Sequence, residues 1–334
     1  MSRSNAISLF IITAAACAVI LFISGCGGDK STDSDSRNVP HEGQWGIYAL
    51  NLSSLDVELL YSDDEEISGI NLSSSGDFIA FSKGMQNGNI IDTTSEIFVL
   101  NVNSGNADRL TGNYYFDSYP SFSPDDSSIV FLSKRDGTLD LYVMRSDGSG
   151  QSMLYNSGGN DADVDWGSNG RIAFTRDYQI WTVVSDGTDP RQVTNPVDAG
   201  QWGNANLPIG DYDPRFSPDG SMIAFERLVD VSFANGGYDI YTISADGSAE
   251  TNLTNTAAQG YARGFANWSC SGNEIIYILA AIGDTGRYDL CMMNSDGTDN
   301  RVITPEYFPE DFLCRNAIFS LDDSEIYFIG QWWE

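Results

Sequence analysis

Apolar and polar residues alternate along most of this chain in short runs, and each run stops at a cluster of Gly, Pro, Asp or Ser. A period of two marks a half-buried strand, and no stretch past the N-terminus sustains the 3.6-residue period of a long helix. The runs also repeat. Asn71–Phe81 reads NLSSSGDFIAF, Ser121–Phe131 reads SFSPDDSSIVF, and Asp165–Phe174 reads DWGSNGRIAF. Arg215–Phe225 reads RFSPDGSMIAF, Asn267–Tyr277 reads NWSCSGNEIIY, and Ile318–Phe328 reads IFSLDDSEIYF. The final aromatics fall at Phe81, Phe131, Phe174, Phe225, Tyr277 and Phe328, with spacings of 50, 43, 51, 52 and 51 residues. Six copies at a nearly fixed period define a repeat architecture.

Each copy is followed by a second phrase. The copies read EIFVLNVNSG (Glu96–Gly105), DLYVMRSDG (Asp140–Gly148), QIWTVVSDG (Gln179–Gly187), DIYTISADG (Asp239–Gly247) and DLCMMNSDG (Asp289–Gly297). A short run ending in Thr111, Thr194, Thr254 or Thr304 comes after four of them. The unit is therefore four strands, A to D. Ser-Pro-Asp-Gly turns A into B, because Pro presets φ and Asp and Gly accept the rest of a tight turn. Asp-Gly turns C into D. Four-stranded antiparallel units at this period are the blades of a β-propeller.

The sequence predicts how the ring closes. The sixth A–B phrase has no C or D after it, and the N-terminal side supplies Gly46–Leu50 as C and Val57–Tyr61 as D. The expected fold is all-β: a six-bladed propeller of four-stranded antiparallel blades. N-terminal C and D strands and C-terminal A and B strands close the last blade. The phrases with SPDG, D-I-Y and SDG resemble the Pro-Asp repeats of TolB-like β-propellers, over nearly all of Gln44 to Glu334. The resemblance implies a propeller that meets partners in the bacterial envelope. This chain departs from the pattern at Ser74, Cys270 and Leu321, which replace the turn proline, and it carries a short tether where TolB has an α/β domain.

Residues 1–25 read as a secretory signal: Arg3, then an apolar stretch from Ala6 to Ile23, then Ser24-Gly25. A single membrane span is the alternative. Cys26 after Ile-Ser-Gly resembles the lipobox of bacterial lipoproteins, which makes Cys26 the lipidated residue and a lipid anchor the membrane contact. Gly27, rather than Asp, points to the outer membrane in a Gram-negative source. Residues 26–43 are a polar, flexible tether holding His41, the chain's one histidine. Residues 44–334 are the propeller.

Composition then narrows the function. Without the signal, 16 basic side chains face 47 acidic ones, a net charge near −31, and such a field repels nucleic acid. With no histidine in the propeller and no G-x-S-x-G, a triad or histidine-based metal centre is excluded. Carboxylate-based glycoside chemistry needs only two acids and stays open. Cys270, Cys291 and Cys314 remain, an odd number that implies no disulfide framework.

Strand direction places A–B and C–D turns on one face and B–C and D–A connections on the other. The long connections are Ser82–Ser95, Asn195–Asp211, Glu226–Tyr238, Ile278–Tyr288 and Pro305–Leu313, so binding is expected on the second face, near the channel mouth. Candidate residues there are Tyr119, Asp161, Asp163, Asp165, Asp213, Arg215, Arg263, Asn267, Arg315 and Asn316, with the loop aromatics Trp202 and Tyr307. Asp161, Asp163 and Asp165 alternate and would point one way on a strand. Crowded carboxylates need a cation or protons, so Ca²⁺ is one expectation there and a solvated acidic rim the other. No other cofactor is implied. The functional expectation is a monomeric, exported, lipid-anchored scaffold that binds an envelope protein or extracellular ligand without chemistry. The alternative is a carbohydrate-active hydrolase or lyase.

Overall fold

The computed structural model describes residues 43–87, 90–280 and 287–332. The signal segment, the lipidation site Cys26 and nearly all of the tether, His41 included, lie outside the described residues. Strands dominate, and among the described residues the helical content is one 3₁₀ turn, Ala257–Gln259. No helix there is long and apolar enough to cross a membrane.

Four sheets have four antiparallel strands each. The first holds Ile67–Leu72, Phe78–Asn87, Ile90–Asn101 and Ala107–Arg109. The second holds Asp117–Phe122, Ser128–Ser133, Asp140–Arg145 and Ser152–Tyr155. The third holds Asp161–Trp166, Arg171–Arg176, Gln179–Val184 and Arg191–Gln192. The fourth holds Gly210–Phe216, Met222–Asp230, Gly237–Ser244 and Thr251–Asn252. Within each, the order A to D follows the phrases of the sequence.

The rest forms an eight-stranded sheet. One half is Ala262–Trp268, Glu274–Ala280, Tyr288–Asn294 and Arg301–Val302. The other is Phe312–Phe319, Glu325–Trp332, Trp45–Asn51 and Val57–Asp63. A single parallel pair, Tyr288 with Leu313, joins the halves. The N-terminal strand pairs with the C-terminal one as expected, Ile47 with Ile329 and Leu50 with Ile326, and on its other edge with Val57–Asp63. Tyr48 is buried at this seam, stacked on Phe328 with centroids 5.4 Å apart and edge-on to Phe312 at 6.0 Å. The A strands touch in chain order, and the last, Phe312–Phe319, touches the first, Ile67–Leu72. The sheets therefore surround an axis lined by A strands, and the cores lie between neighbouring sheets.

Two expectations change. Ser82–Ser95 is not a loop: strands B and C of the first sheet run on as a hairpin, with Lys83 paired to Glu96 and Met85 to Thr94. The D strand of the second sheet, Ser152–Tyr155, has no Thr-tagged phrase and was not legible. In the other sheets that Thr caps strand C, its Oγ1 accepting the N–H of Ile97, Ile180, Ile240 or Leu290 at 2.8–3.0 Å. Cys270, Cys291 and Cys314 are all free thiols.

Candidate functional site

Every A strand breaks register at a bulge. The break falls between Ser68 and Asn71, Ser118 and Ser121, Ala162 and Asp165, Tyr212 and Arg215, Gly264 and Asn267, and Arg315 and Ala317. Within each break one residue takes a left-handed backbone: Gly69, Tyr119, Asp163, Asp213, Phe265 or Asn316. Gly, Asp and Asn tolerate this region, whereas a tyrosine at φ 51° and a phenylalanine at φ 55° are held there at a cost. Bulges re-aim side chains, and these aim at the axis. A Cβ on Gly69 would sit 3.1 Å from the Tyr119 Cα, and the Asp213 N–H donates to Asp163 Oδ2 at 3.3 Å. Tyr119 N–H donates to Ser82 Oγ at 2.9 Å, and Phe265 N–H to Glu226 Oε2 at 3.0 Å.

The bulge overturns the expected row of three carboxylates, because an extra residue at Asp163 shifts the side-chain alternation. Asp161 is buried beside Arg176 and Asp140. Asp163 faces the axis and accepts from Thr175 Oγ1 at 3.2 Å. Asp165 reaches into the fourth sheet and accepts the Phe216 N–H at 2.7 Å. They form no shared oxygen cage. Among the described residues no group of three His, Cys, Asp or Glu side chains is arranged to hold a metal ion.

Around the axis one guanidinium meets four carboxyls. Arg215 pairs with Asp213 at 2.8 Å, while Asp163, Asp165 and Glu226 stand within electrostatic reach of it. All five side chains are buried. Loss of water pushes Asp163 up to about 7, with Asp213 adding repulsion and Arg215 opposing. Burial raises Glu226 well above the usual carboxyl range, and Asp213 and Asp163 raise it further. Burial likewise drives Asp161 up to about 8. Protons thus stand in for missing cations. A narrow opening, about 170 Å³ with the solvent at its mouth counted in, lies against Asp213, Arg215, Phe265, Asn267, Asn316 and Ile318.

The other predicted residues divide. Asn267 and Asn316 join the axis. Arg315 lies 3.8 Å from Glu66 and over the Trp45 ring at 4.8 Å, where it bridges sheets. Trp202 is 57% exposed on its loop. The half-buried Tyr307 is held in place: its hydroxyl donates to the Leu55 carbonyl at 3.0 Å and its ring packs edge-on to Phe308. Arg263 hydrogen-bonds Thr256 Oγ1 and lies over the Tyr261 ring at 4.7 Å.

The larger opening is a cleft between the fourth sheet and its successor on the long-loop face, about 440 Å³ with the solvent at its mouth counted in. Asn206 and Asn235 come from loops; Ala262, Ile278, Ala280 and Tyr288 come from strand ends; Tyr238, Arg263 and Phe265 line the walls. Glu226 also lines it, and sequence reasoning missed this residue. Its signal was present. Directly after the phrase-ending aromatic, the other copies read Ser82, Leu132, Thr175, Ile278 and Ile329, and only this copy places an acid there. Gly264 is required beside it, since a Cβ would collide with its carboxyl group.

No family model matches the chain. An uncharacterized protein of Agrobacterium fabrum is 27% identical over 194 residues, 55% of this chain and 61% of that protein. A TolB homolog of Chlorobium luteolum is 31% identical over 134 residues, 39% of this chain and 28% of the homolog. The chain thus matches less than two thirds of the length of either relative. The structure of a putative TolB from Agrobacterium tumefaciens superposes with a TM-score of 0.65 at 16% identity, covering 86% of this chain and 97% of that one. An oligogalacturonate lyase in complex with manganese gives 0.52 at 13%, covering 87% and 83%. A chain of a nidogen/laminin complex gives 0.58 at 12%, covering 86% and 97%. At these identities the structural likenesses establish fold alone, and the fold is that of a TolB-like β-propeller.

Proposed function

We propose that this TolB-like β-propeller is an exported binding scaffold of the bacterial cell envelope, without chemistry of its own, that takes a protein or extracellular ligand on its long-loop face. We read the eight-stranded sheet as two blades meeting at one residue pair, which makes a six-bladed ring. The observation that carries the binding reading is the asymmetry between the two faces. The turn face carries tight turns, in which Asp147, Asp186, Asp246 and Asp296 each accept a backbone N–H of their own turn at 2.9 Å, and although Leu55 and Leu321 are exposed there, it has no long loops. On the other face, the 440 Å³ cleft opens beside loops that leave Trp202 57% and Val197 84% exposed. Apolar groups left wet on a rigid scaffold are what a partner covers.

Acylation of Cys26 would place this face close to a membrane. Gly43 N–H bonds the Trp332 carbonyl at 2.9 Å, so the tether joins where strands B and C of the closing unit part, on the loop side. Seventeen residues reach at most about 60 Å. Metabolic labelling with a fatty acid should mark the wild type and miss Cys26→Ser; equal labelling removes the anchor.

Cross-linking in intact envelopes, followed by capture of the tagged chain, tests the scaffold. Trp202→Ala should reduce the recovered partner about tenfold, as truncating a buried interface aromatic does. Undiminished recovery would exclude this face. A carbohydrate-active reading is favoured by one observation, a carboxyl group (Glu226) in the wall of the cleft that burial pushes well above the usual range. Activity on a polysaccharide panel that vanishes in Asp163→Asn, Asp213→Asn or Glu226→Gln would establish it over the scaffold reading.

A further inference from the structure

We propose that the cleft beside the fourth sheet binds a primary ammonium group on an alkyl stem, with Glu226 as its anion and Tyr238, Phe265 and Tyr288 as its walls. This rests on reading the long-loop face as the binding face, and it names what that face recognises. Glu226 is 98% buried yet lines the cleft. Its Oε2 accepts the Phe265 N–H at 3.0 Å, while Oε1 takes part in no hydrogen bond among the described residues. An acceptor withdrawn from water and aimed into a cleft asks for a donor.

The charge around it says which donor. Asp163 and Asp213 lie within electrostatic reach of Glu226, and the one guanidinium they share with Asp165, Arg215, is already paired with Asp213 at 2.8 Å. Arg263, the other cation at the cleft, is turned to Thr256 and the Tyr261 ring. The cluster therefore lacks positive charge. An entering ammonium takes the place of the proton that otherwise stands in for it, which leaves to solvent as Glu226 ionises, whereas a carboxylate ligand is repelled and a neutral sugar brings no charge. The walls suit the same group. Ring faces attract ammonium ions, and Ala262, Ile278 and Ala280 give the methylenes an apolar bed. The chain's net charge of −30 draws cations toward the cleft. A lysine side chain of a partner protein and a free alkylamine present the same chemistry.

Titration calorimetry on the full chain decides the matter, with n-butylammonium, 1,4-diaminobutane and Nα-acetyl-lysine methylamide as probes and n-butanol and glucose as uncharged controls. The ammonium probes should bind, weaken with added salt, and bind at least tenfold more weakly to Glu226→Gln, which keeps the acceptor for Phe265. Ala280→Phe should fill the cleft and abolish binding. A preference for acetyl-lysine methylamide assigns the source to a protein lysine, and a preference for diaminobutane assigns it to a small amine. Silence with every ammonium probe, equal binding of butanol, or full affinity in Glu226→Gln with an unchanged melting temperature overturns the proposal. Partner capture sensitive to Trp202→Ala alongside such silence would leave the scaffold reading standing and remove the ammonium site alone.

Discussion

At Ser74 the turn proline is absent, and the N–H it would have lacked is used. Ser74 and Ser75 N–H groups donate to the two oxygens of Asp126 on the next sheet, at 2.7 and 2.9 Å. The same exchange recurs where Cys270 replaces proline: Cys270 and Ser271 donate to Asp323 at 2.6 and 3.0 Å. Asp126 and Asp323 occupy left-handed positions, at φ 57° and 58°, that Gly76, Gly220 and Gly272 fill in other copies. Two of the turns with a free N–H thus face an Asp, whereas Leu321 faces Gly76, Asn169 faces Gly220 and Pro218 faces Gly272. Asp126→Gly relieves the backbone yet strands two donors at the surface, so it should cost about 1 kcal/mol. In Ser74→Pro the same substitution should cost less, which a double-mutant cycle by urea unfolding measures. Equal costs would mean the contact is idle. The glycine of each SDG turn has its own reason: Gly148 sits at φ 83°, and a Cβ there would lie 2.8 Å from the Leu110 carbonyl oxygen.

At the scale of the strand, neighbouring sheets are stitched where one A strand meets the next. Asn71 Oδ1 accepts the Phe122 N–H at 2.9 Å, Ser121 Oγ accepts from Trp166 at 3.0 Å, and Asp165 Oδ2 accepts from Phe216 at 2.7 Å. Asp165 thereby positions the neighbouring strand. Asp165→Ala leaves a buried N–H unmet and should cost about 1–3 kcal/mol. Asp165→Asn retains an acceptor and should cost much less, a split that thermal melts of the two variants check. The bulge one step earlier makes the stitch geometrically available, since without the left-handed residue the Asp165 side chain would face the other side of its strand.

At the scale of the whole molecule, closure and buried charge set stability. Tyr48 ties the N-terminal strand to Phe328 and Phe312, so Tyr48→Ala should lower stability by about 3–5 kcal/mol in urea unfolding, the cost of emptying a packed aromatic site. A loss below 1 kcal/mol would show that the seam does not carry the ring. The buried carboxyls give stability a pH slope. With Asp161 pushed up to about 8 and Asp163 to about 7, the folded chain holds protons that the unfolded chain releases near pH 4. Stability from these groups is therefore full below about pH 4 and falls as pH rises toward 8. Asp161→Asn should raise the urea midpoint at pH 8 and change it little at pH 4. A midpoint at pH 8 that falls instead would show that the ionised carboxylate is favoured where it lies.

The order of strands, the turns between them and the pairing of the chain's two ends were written in local patterns, because period-two alternation and turn chemistry depend only on near neighbours. Glu226 too was visible, as the one acid in a column of Ser, Thr, Leu and Ile. What the alternation concealed was each bulge: a one-residue slip reverses the facing of every later side chain, and nothing in Asp161–Asp165 announces it. Likewise Tyr307 and Trp202 are equally aromatic, and only the placement of the Leu55 carbonyl decides that one is tied down while the other stays exposed. Which carboxyls share one guanidinium is fixed by contacts between residues some fifty positions apart in sequence, such as Asp163 and Asp213. Local chemistry sets the elements, and the packing of sheets around an axis sets which charges must live together.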